Sequence, residues 1–255
     1  MFHHEGRTVV IARRAAPRRA HAVNPHDRFM HDDQWNAVDQ YLVDLLMPAD
    51  RALEAALAAS RDAGLPAISV SPPLGKLLFL LARMQGARRI LEIGTLGGYS
   101  TIWLARALPA GGSLITLEIN PDHARVALAN IERAGLSRLV QLRLGAARET
   151  LARLVADGGE PFDYIFIDAD KERSPEYFDR ALQLSRPGSV IIVDNVVRDG
   201  AVLDAASTDP NVRGVRRFNE RLAAESRVSA TTIQTVGAKG YDGFALALVT
   251  EGRDA

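Results

Sequence analysis

The sequence lacks cysteine entirely and has very little histidine. The absence of cysteine excludes disulfides, thiolate metal sites, iron–sulfur clusters and cysteine nucleophiles. Five of the 6 His residues lie within the first 31 residues, which leaves His123 alone in the rest of the chain. We therefore expect neither a histidine-rich zinc centre nor a Ser-His-Asp triad. Any metal in the body of the protein must be held by oxygen ligands, which favours Mg²⁺, Ca²⁺ or Mn²⁺.

Net charge is also absent, because 31 basic residues balance 31 acidic ones. Nothing in this balance indicates nucleic acid or a membrane surface as a partner. No stretch approaches the roughly 18 uninterrupted apolar residues of a membrane span. With 255 residues, 47% apolar and 24% charged, the composition is that of a folded chain with one large domain. We predict a soluble, cytoplasmic protein that acts on small molecules.

Residues 1–30 differ from the rest in being rich in Arg and poor in acidic residues. An organelle transit peptide has this character, but no Ser precedes Ser60, which weighs against one. The only apolar run there, Val9–Ala12, is too short for the core of a secretory signal. We predict a disordered extension over residues 1–30, followed by a single domain over residues 31–255.

Residues 31–87 of that domain are predicted to be helical. From Gln34 onwards, apolar residues recur at helical spacing and form one stripe, made of Val38, Tyr41, Leu42, Leu45 and Leu46. A second helix is predicted from Leu53 to Gly64, and a third over Lys76–Gln85 after a loop over residues 65–75. These helices could form a lid, a dimer face or a packing layer. We favour packing against the sheet.

Residues 88–250 read as an α/β core. Short apolar runs alternate with helical patterns, which predicts a doubly wound, mostly parallel sheet. The seven predicted strands are Arg89–Ile93, Leu114–Glu118, Leu139–Leu144, Tyr164–Ile167, Val190–Val193, Ala230–Val236 and Phe244–Val249. The helices between them are predicted over about 102–108, 121–135, 148–156, from 174 onwards, and over 212–224.

Polar residues gather where the predicted strands end. They are Glu92, Glu118, Gly145, Asp168, Asp194 and Asn195. The carboxyl ends of parallel strands meet at one edge of a sheet, and ligands of such sheets bind beyond that edge. We therefore expect these residues to share one site, although each of them alone could simply begin a turn.

The loop after the first strand, residues 94–98, first suggests a dinucleotide site. Its glycines do not match the G-x-G-x-x-G pattern, however. The carboxylate of Glu92 just upstream disfavours a pyrophosphate and suits a cationic ligand. Gly94 and Gly98 have no Cβ, which lets backbone approach a compact ligand. The alternative is that these glycines form an ordinary tight turn.

Two further strand ends fit a nucleoside. Glu118 lies 24 residues after Gly94, near the position at which an acid binds ribose hydroxyls in such folds. Gly145, Ala146 and Ala147 offer a small surface for a flat base. The carboxylate of Glu92 favours a cationic ligand. Together, these features predict a nucleoside that is cationic at its other end, as in S-adenosylmethionine.

Asp168, Asp194 and Asn195 supply two carboxylates and an amide oxygen at neighbouring strand ends. Such a set suits Mg²⁺, which takes its remaining ligands from water and substrate. Lys171, three residues after Asp168, is one of only three Lys in the chain. Unlike a guanidinium, an ammonium can lose its proton when partly buried near a cation. Lys171 is therefore the candidate general base, the alternative being a solvated surface lysine.

These residues resemble the cation-dependent O-methyltransferases, the family of the catechol and caffeoyl-coenzyme A O-methyltransferases. The matching segments are Leu91–Ser100, Glu118, Phe166–Lys171 and Val193–Asn195, and the resemblance runs from about Trp35 to Val249. It departs at Arg198, where relatives often place Trp against the substrate ring, and at Gly97, where many have Thr. Both departures concern the acceptor substrate rather than the methyl donor.

The resemblance implies a Rossmann-like methyltransferase fold, S-adenosylmethionine as donor, a divalent metal, a homodimer and a vicinal aromatic diol as acceptor. It implies that Asp168, Asp194 and Asn195 hold the metal and that Lys171 takes the hydroxyl proton. The residues expected at the donor site are Glu92, Gly94, Gly98, Ser100, Glu118, Gly145, Ala146, Ala147, Asp168 and Asp170. The alternatives are an NAD-dependent oxidoreductase, a metal-free methyltransferase and a non-catalytic nucleoside-binding protein.

Overall fold

The computed structural model describes the backbone of residues 25–251 and the side chains of residues 33–251. Within these residues, eight α-helices and seven β-strands follow one another. The helices are α1 (Pro25–Leu46), α2 (Arg51–Asp62), α3 (Pro72–Gln85), α4 (Tyr99–Ala107), α5 (Pro121–Arg133), α6 (Ala147–Ala156), α7 (Ser174–Gln183) and α8 (Pro210–Ala224). The strands are β1 (Arg89–Ile93), β2 (Ser113–Glu118), β3 (Val140–Leu144), β4 (Phe162–Ile167), β5 (Ser185–Asp194), β6 (Val228–Thr235) and β7 (Asp242–Val249).

The strands form one sheet in the order β3-β2-β1-β4-β5-β7-β6. Neighbouring strands from β3 to β5 are parallel, and β7 pairs antiparallel with both β5 and β6. The predicted doubly wound, mostly parallel sheet with N-terminal helices is thus confirmed. The strand order reverses between β1 and β4, and ligands of such sheets bind at that switch point.

Helices cover both faces of the sheet, and therefore its central strands are apolar on both sides. All six residues of β4 are buried. Its Ile165 and Ile167 face α7 and α8, where Phe178 and Phe218 pack edge to face with ring centroids 5.5 Å apart. Tyr164, Phe166 and their neighbours face the opposite layer, formed by α3, α4 and α5. The sheet is therefore a rigid platform for the residues beyond its edge.

The packing role favoured for the N-terminal helices is confirmed for α2 and α3, which contribute buried residues to the layer on the sheet, but is wrong for the apolar stripe of α1. Its five residues are 41–69% exposed: Val38, Tyr41, Leu42, Leu45 and Leu46. Periodicity shows that one face of a helix is apolar, but not what covers it. The helix also begins at Pro25, earlier than the predicted Gln34, while the rest of the predicted 1–30 extension lies outside the described residues.

The starts of two elements differ from the prediction. Helix α3 begins at Pro72 rather than Lys76, because Ser71 caps it and prolines suit the first turn of a helix. Strand β5 begins at Ser185 rather than Val190 and includes an irregular segment opposite β4. Between residues 25 and 251, no helix is long and apolar enough to cross a membrane.

Candidate active site

Two adjoining cavities open at the carboxyl edge of the sheet. The first, of about 480 Å³, is lined among others by Gly94, Glu118, Gly145, Asp168 and Lys171. The second, of about 500 Å³, is lined among others by Asp194, Val236, Lys239 and Phe244. Both are lined by the loop residues Ile68, Ser69 and Val70 and by Asn195 and Arg198. Two ligands bound in them would therefore meet beside Asn195.

Glu92 is completely buried behind the first cavity and does not line it. Its carboxylate accepts hydrogen bonds from the hydroxyls of Ser100 (2.6 Å), Thr101 (2.5 Å) and Thr116 (2.6 Å). Burial raises its pKa to about 7 although the three hydroxyls oppose the shift. The prediction that Glu92 touches the ligand is corrected: Ser100 lines the cavity, and Glu92 holds it in place from behind.

The two glycines of the 94–98 loop have different roles. Gly94 has φ +99°, and a Cβ there would collide with the carbonyl oxygen of Asp168. Because Gly94 has no Cβ, the ends of β1 and β4 can approach each other. Gly94 itself lines the first cavity. Gly98 has φ +83° and packs against Ala127 of α5, away from the cavity. Its place at the ligand stays a prediction.

Glu118 is the last residue of β2 and lines the first cavity. Its carboxylate already accepts three backbone hydrogen bonds. Its Oε1 accepts the N–H groups of Ile119 and Asn120, both at 2.9 Å, and its Oε2 accepts the N–H of Leu96 at 2.8 Å. One lone pair of Oε2 remains for a ligand hydroxyl. The Nδ1 of His123 lies 3.7 Å from Oε1, and His123 also lines the cavity.

The predicted base and metal ligands do come together. Lys171 Nζ donates to Asp168 Oδ1 at 2.6 Å, which leaves Oδ2 of Asp168 without a hydrogen bond among the described residues. Among the residues that the structure describes, Asp194 Oδ1 accepts one hydrogen bond, from the N–H of Asn195 at 2.8 Å. Asn195 is held in the left-handed region at φ +58° and lines both cavities.

The electrostatics of Asp194 fit a cation at this point. Burial first, and then the negative charge of Asp168, raise its pKa to about 7. No group of three or more His, Cys, Asp or Glu is arranged to hold a metal among the described residues. Asp168 and Asp194 would therefore need the amide oxygen of Asn195 as a third protein ligand, a combination that Mg²⁺ accepts.

Of the remaining residues predicted at the donor site, all but one line the first cavity. Gly145 and Ala147 line the first cavity, whereas Ala146 does not. Asp170 lines it too, but its carboxylate accepts hydrogen bonds from the Tyr177 hydroxyl (2.5 Å) and from Arg173 (2.7 Å). Burial and this contact with Asp170 raise the pKa of Tyr177.

Sequence reasoning missed several residues of the wall of the first cavity: Ile68, Ser69, Val70, Tyr99, Tyr177 and Asn211. None of them follows a strand end, which is where the sequence indicates polar site residues. Tyr177 could have been found from its place one helical turn into α7, shortly after Asp170. The loop of residues 68–70 carries no sequence signal of this kind.

The chain is similar to known proteins over most of its length. A family model described as O-methyltransferase matches residues 50–248. The catechol O-methyltransferase of Niastella koreensis is 57% identical over 220 residues, covering 86% of this chain and 100% of that protein.

Two solved structures are equally similar. An O-methyltransferase from Bacillus cereus in complex with SAH has 58% identity and a TM-score of 0.84, covering 86% of this chain and 99% of that one. TomG of Streptomyces achromogenes, involved in tomaymycin synthesis and crystallised with SAM, has 55% identity and a TM-score of 0.84, covering 87% and 99%. This chain belongs to the O-methyltransferase family.

Proposed function

We propose that the protein transfers the methyl group of S-adenosylmethionine to one hydroxyl of a vicinal aromatic diol, with the help of a divalent metal. The observation that carries the proposal is that both cavities meet at Asn195, beside Asp168 and Asp194. A donor in the first cavity and an acceptor in the second would therefore react at their junction. Family membership removes the NAD-dependent oxidoreductase as an alternative.

The first cavity suits S-adenosylmethionine in size, charge and polarity. Glu118 offers its free lone pair to a ribose hydroxyl, and Gly145 and Ala147 leave room for the adenine. The carboxylates of Asp168 and Asp170 line the part of this cavity proposed for the methionyl end, each with a cationic partner, Lys171 or Arg173. Similar proteins have been crystallised with SAH and with SAM, which supports the same donor here.

Asp168, Asp194 and Asn195 would hold the metal, which is Mg²⁺ in our proposal, or else Mn²⁺ or Ca²⁺. When bound, such a cation stabilises an oxyanion on the acceptor and lowers the pKa of its hydroxyl. Oδ2 of Asp168 has no hydrogen bond among the described residues, and the buried Asp194 lies close enough to feel its charge, which supports a cation between them. A vicinal diol suits this arrangement because it offers two oxygens at once.

Lys171 would accept the proton of the reacting hydroxyl at its Nζ, which must first give up the proton of its ammonium form to solvent. The oxygen then forms a bond to the methyl carbon as the bond between that carbon and the donor sulfur breaks, which leaves a methyl ether and S-adenosylhomocysteine. The cavity walls hold the two reactants in line, and such positioning can supply about 7–11 kcal/mol of the barrier.

The exposed stripe of α1 supports a homodimer as the working form. A contiguous apolar patch on a soluble protein is commonly an interaction surface, and most oligomers pair identical surfaces. The cytoplasm remains our predicted compartment, to be checked by cell fractionation.

The direct test is a methyl-transfer assay with isotope-labelled S-adenosylmethionine, catechol and Mg²⁺. We expect labelled methyl ether and stoichiometric S-adenosylhomocysteine. Tight binding of S-adenosylhomocysteine without transfer to any of a panel of vicinal diols would instead favour the non-catalytic nucleoside-binding protein. Full transfer in excess EDTA would favour the metal-free methyltransferase.

A further inference from the structure

Arg198 lines both cavities with a guanidinium that is not hydrogen-bonded within the described part of the chain. Its Nε is buried without a partner. Its Nη1 lies 3.7 Å from Oδ2 of Asp242, which is beyond hydrogen-bond distance. A guanidinium is always charged and presents its donors as a planar fork. The guanidinium of Arg198 lies where the two cavities meet, and no described residue accepts a hydrogen bond from it.

Asp242 cannot turn to complete that pairing, because its other oxygen is fixed by the backbone. Oδ1 accepts the N–H groups of Val197 (3.0 Å), Arg198 (2.9 Å) and Gly243 (2.9 Å). The carboxylate is therefore committed to holding the turn, and it steadies the guanidinium only from a distance. The outer donors of Arg198 remain available to a ligand.

Arg198 lies in a turn that begins at Asn195, one of the proposed metal ligands. Asn195, Arg198 and Asp199 all have positive φ, between +55° and +58°. Such left-handed turns are unfavourable for residues with a Cβ and persist where surrounding contacts fix them. Among those contacts, Asn219 Nδ2 donates to the carbonyl of Val196 at 3.3 Å. Arg198 thus follows Asn195 in a fixed turn.

A second cation lies in the wall of the second cavity. Lys239 Nζ donates to the carbonyl oxygen of Ala67 at 2.7 Å, and burial lowers its pKa. The acidic Asp39 also lines this cavity, but its Oδ2 accepts the N–H of Ala238 at 2.9 Å. Lys239 therefore adds positive charge on the side of the cavity formed by the loop between β6 and β7.

We infer that Arg198 selects acceptors that carry a carboxylate on or near the diol ring, and that it binds this group through its guanidinium fork. A carboxylate matches the fork with two parallel hydrogen bonds, which a neutral amide cannot form in the same way. The inference rests on the proposed function and goes beyond it, since it names a charged subclass of the diols.

The test compares acids with their own primary amides as acceptors. Dihydroxybenzoate, dihydroxyphenylacetate and dihydroxycinnamate, each with vicinal hydroxyls, place the carboxylate at three distances from the ring. For the best-fitting pair, we expect kcat/KM of the acid to exceed that of the amide by about tenfold or more. In Arg198→Gln this ratio should fall close to one, and in Arg198→Lys it should take an intermediate value.

Arg213→Gln is the matched control, because Arg213 is exposed on α8 and lines neither cavity. It should keep the ratio of the native protein. An unchanged ratio in Arg198→Gln for all three pairs would overturn the inference. So would a rise in the dissociation constant of S-adenosylhomocysteine with no change in the ratio, since Arg198 would then serve the donor. Catechol itself, methylated by the native protein, shows that the proposed function holds independently of this outcome.

Discussion

Lys171 Nζ lies 2.6 Å from Asp168 Oδ1, so the proposed base and a proposed metal ligand form one ion pair. They meet because β4 ends at Ile167 and a short 3₁₀ turn, Lys171–Arg173, follows at once. A cation could bind the other oxygen of this carboxylate, Oδ2, which has no hydrogen bond among the described residues. The proposed base and the proposed metal would therefore share one carboxylate.

Replacing Lys171 by Met should remove proton acceptance while leaving the cavities in place. We expect kcat to fall by about 10²- to 10⁴-fold, the usual contribution of a positioned base, with a much smaller change in the acceptor KM. Steady-state kinetics with catechol measure both constants. Lys76→Met is the matched control, since Lys76 lies beside Phe79 and Trp103, away from both cavities. An unaltered kcat in Lys171→Met would remove it as the base.

Asp194→Asn should weaken metal binding selectively. It takes away one of the two carboxylates of the set, so we expect the affinity for Mn²⁺ to fall about tenfold or more and transfer activity to fall with it. Calorimetric titration with S-adenosylhomocysteine should give a nearly native dissociation constant. Asp62→Asn, at an exposed position of α2, controls for the loss of one charge. Native Mn²⁺ affinity in Asp194→Asn would contradict the proposed set.

The pH dependence of metal binding should report the same carboxylate. Without a cation, the pKa of Asp194 is raised to about 7, so the site binds a proton that a metal must displace. Mn²⁺ affinity should therefore increase as pH rises through about 7 and should level off above it. In Asp194→Asn this particular increase should be absent. A pH-independent affinity between pH 6 and 8 in the native protein would contradict the account.

Glu92 should make the protein less stable as pH rises. Its pKa is raised from 4.5 to about 7, so between these values the folded state holds a proton that the unfolded state has released. The stabilisation is complete below pH 4.5 and is lost through about pH 7, with a magnitude of up to about 3 kcal/mol. Because Asp194 titrates in the same direction, the measure is the difference between the native protein and Glu92→Gln.

Chemical denaturation at several pH values between 5 and 8 measures this difference. The free energy of unfolding of Glu92→Gln should decline less over this range than that of the native protein. Glu132→Gln, at an exposed position of α5, should follow the native curve. Parallel curves for the native protein and Glu92→Gln would show that Glu92 is already charged in the folded state.

A homodimer through α1 should be sensitive to charge on its apolar stripe. We expect the native protein to have twice the chain mass of 27.7 kDa in light scattering. The double variant Tyr41→Glu with Leu45→Glu should shift the mass toward that of one chain, because both positions are more than 60% exposed. Leu203→Glu, at an even more exposed leucine elsewhere, should remain dimeric. A native mass of one chain would refute the dimer.

The strand ends could be predicted because a parallel sheet brings them to one edge regardless of detail. Asp168, Asp194 and Asn195 were therefore placed together from the sequence alone, and Lys171 followed from its spacing. The side of the sheet toward which the Glu92 side chain points could not be predicted in this way. Strand β1 is buried on both faces, and only the fold shows that Glu92 points toward the hydroxyls of α4.

Long-range packing explains the other differences. Gly98 has the sequence context of a ligand loop, yet its close neighbour is Ala127, which lies on a helix two elements later. The stripe of α1 has the periodicity of a packed helix, yet no part of the described chain covers it. Arg198 stands beside the reaction junction only because three left-handed residues turn the chain there. Local patterns carry no information about such partners.

The central claim is that donor, metal and acceptor meet at Asn195, and a crystal structure of the protein with S-adenosylhomocysteine, Mn²⁺ and a catechol tests it most directly. The anomalous signal of Mn²⁺ should lie at Asp168, Asp194 and Asn195. A catechol oxygen should be within hydrogen-bond reach of Lys171 and should face the donor sulfur. A catechol bound away from this junction, or Mn²⁺ bound elsewhere, would contradict the account.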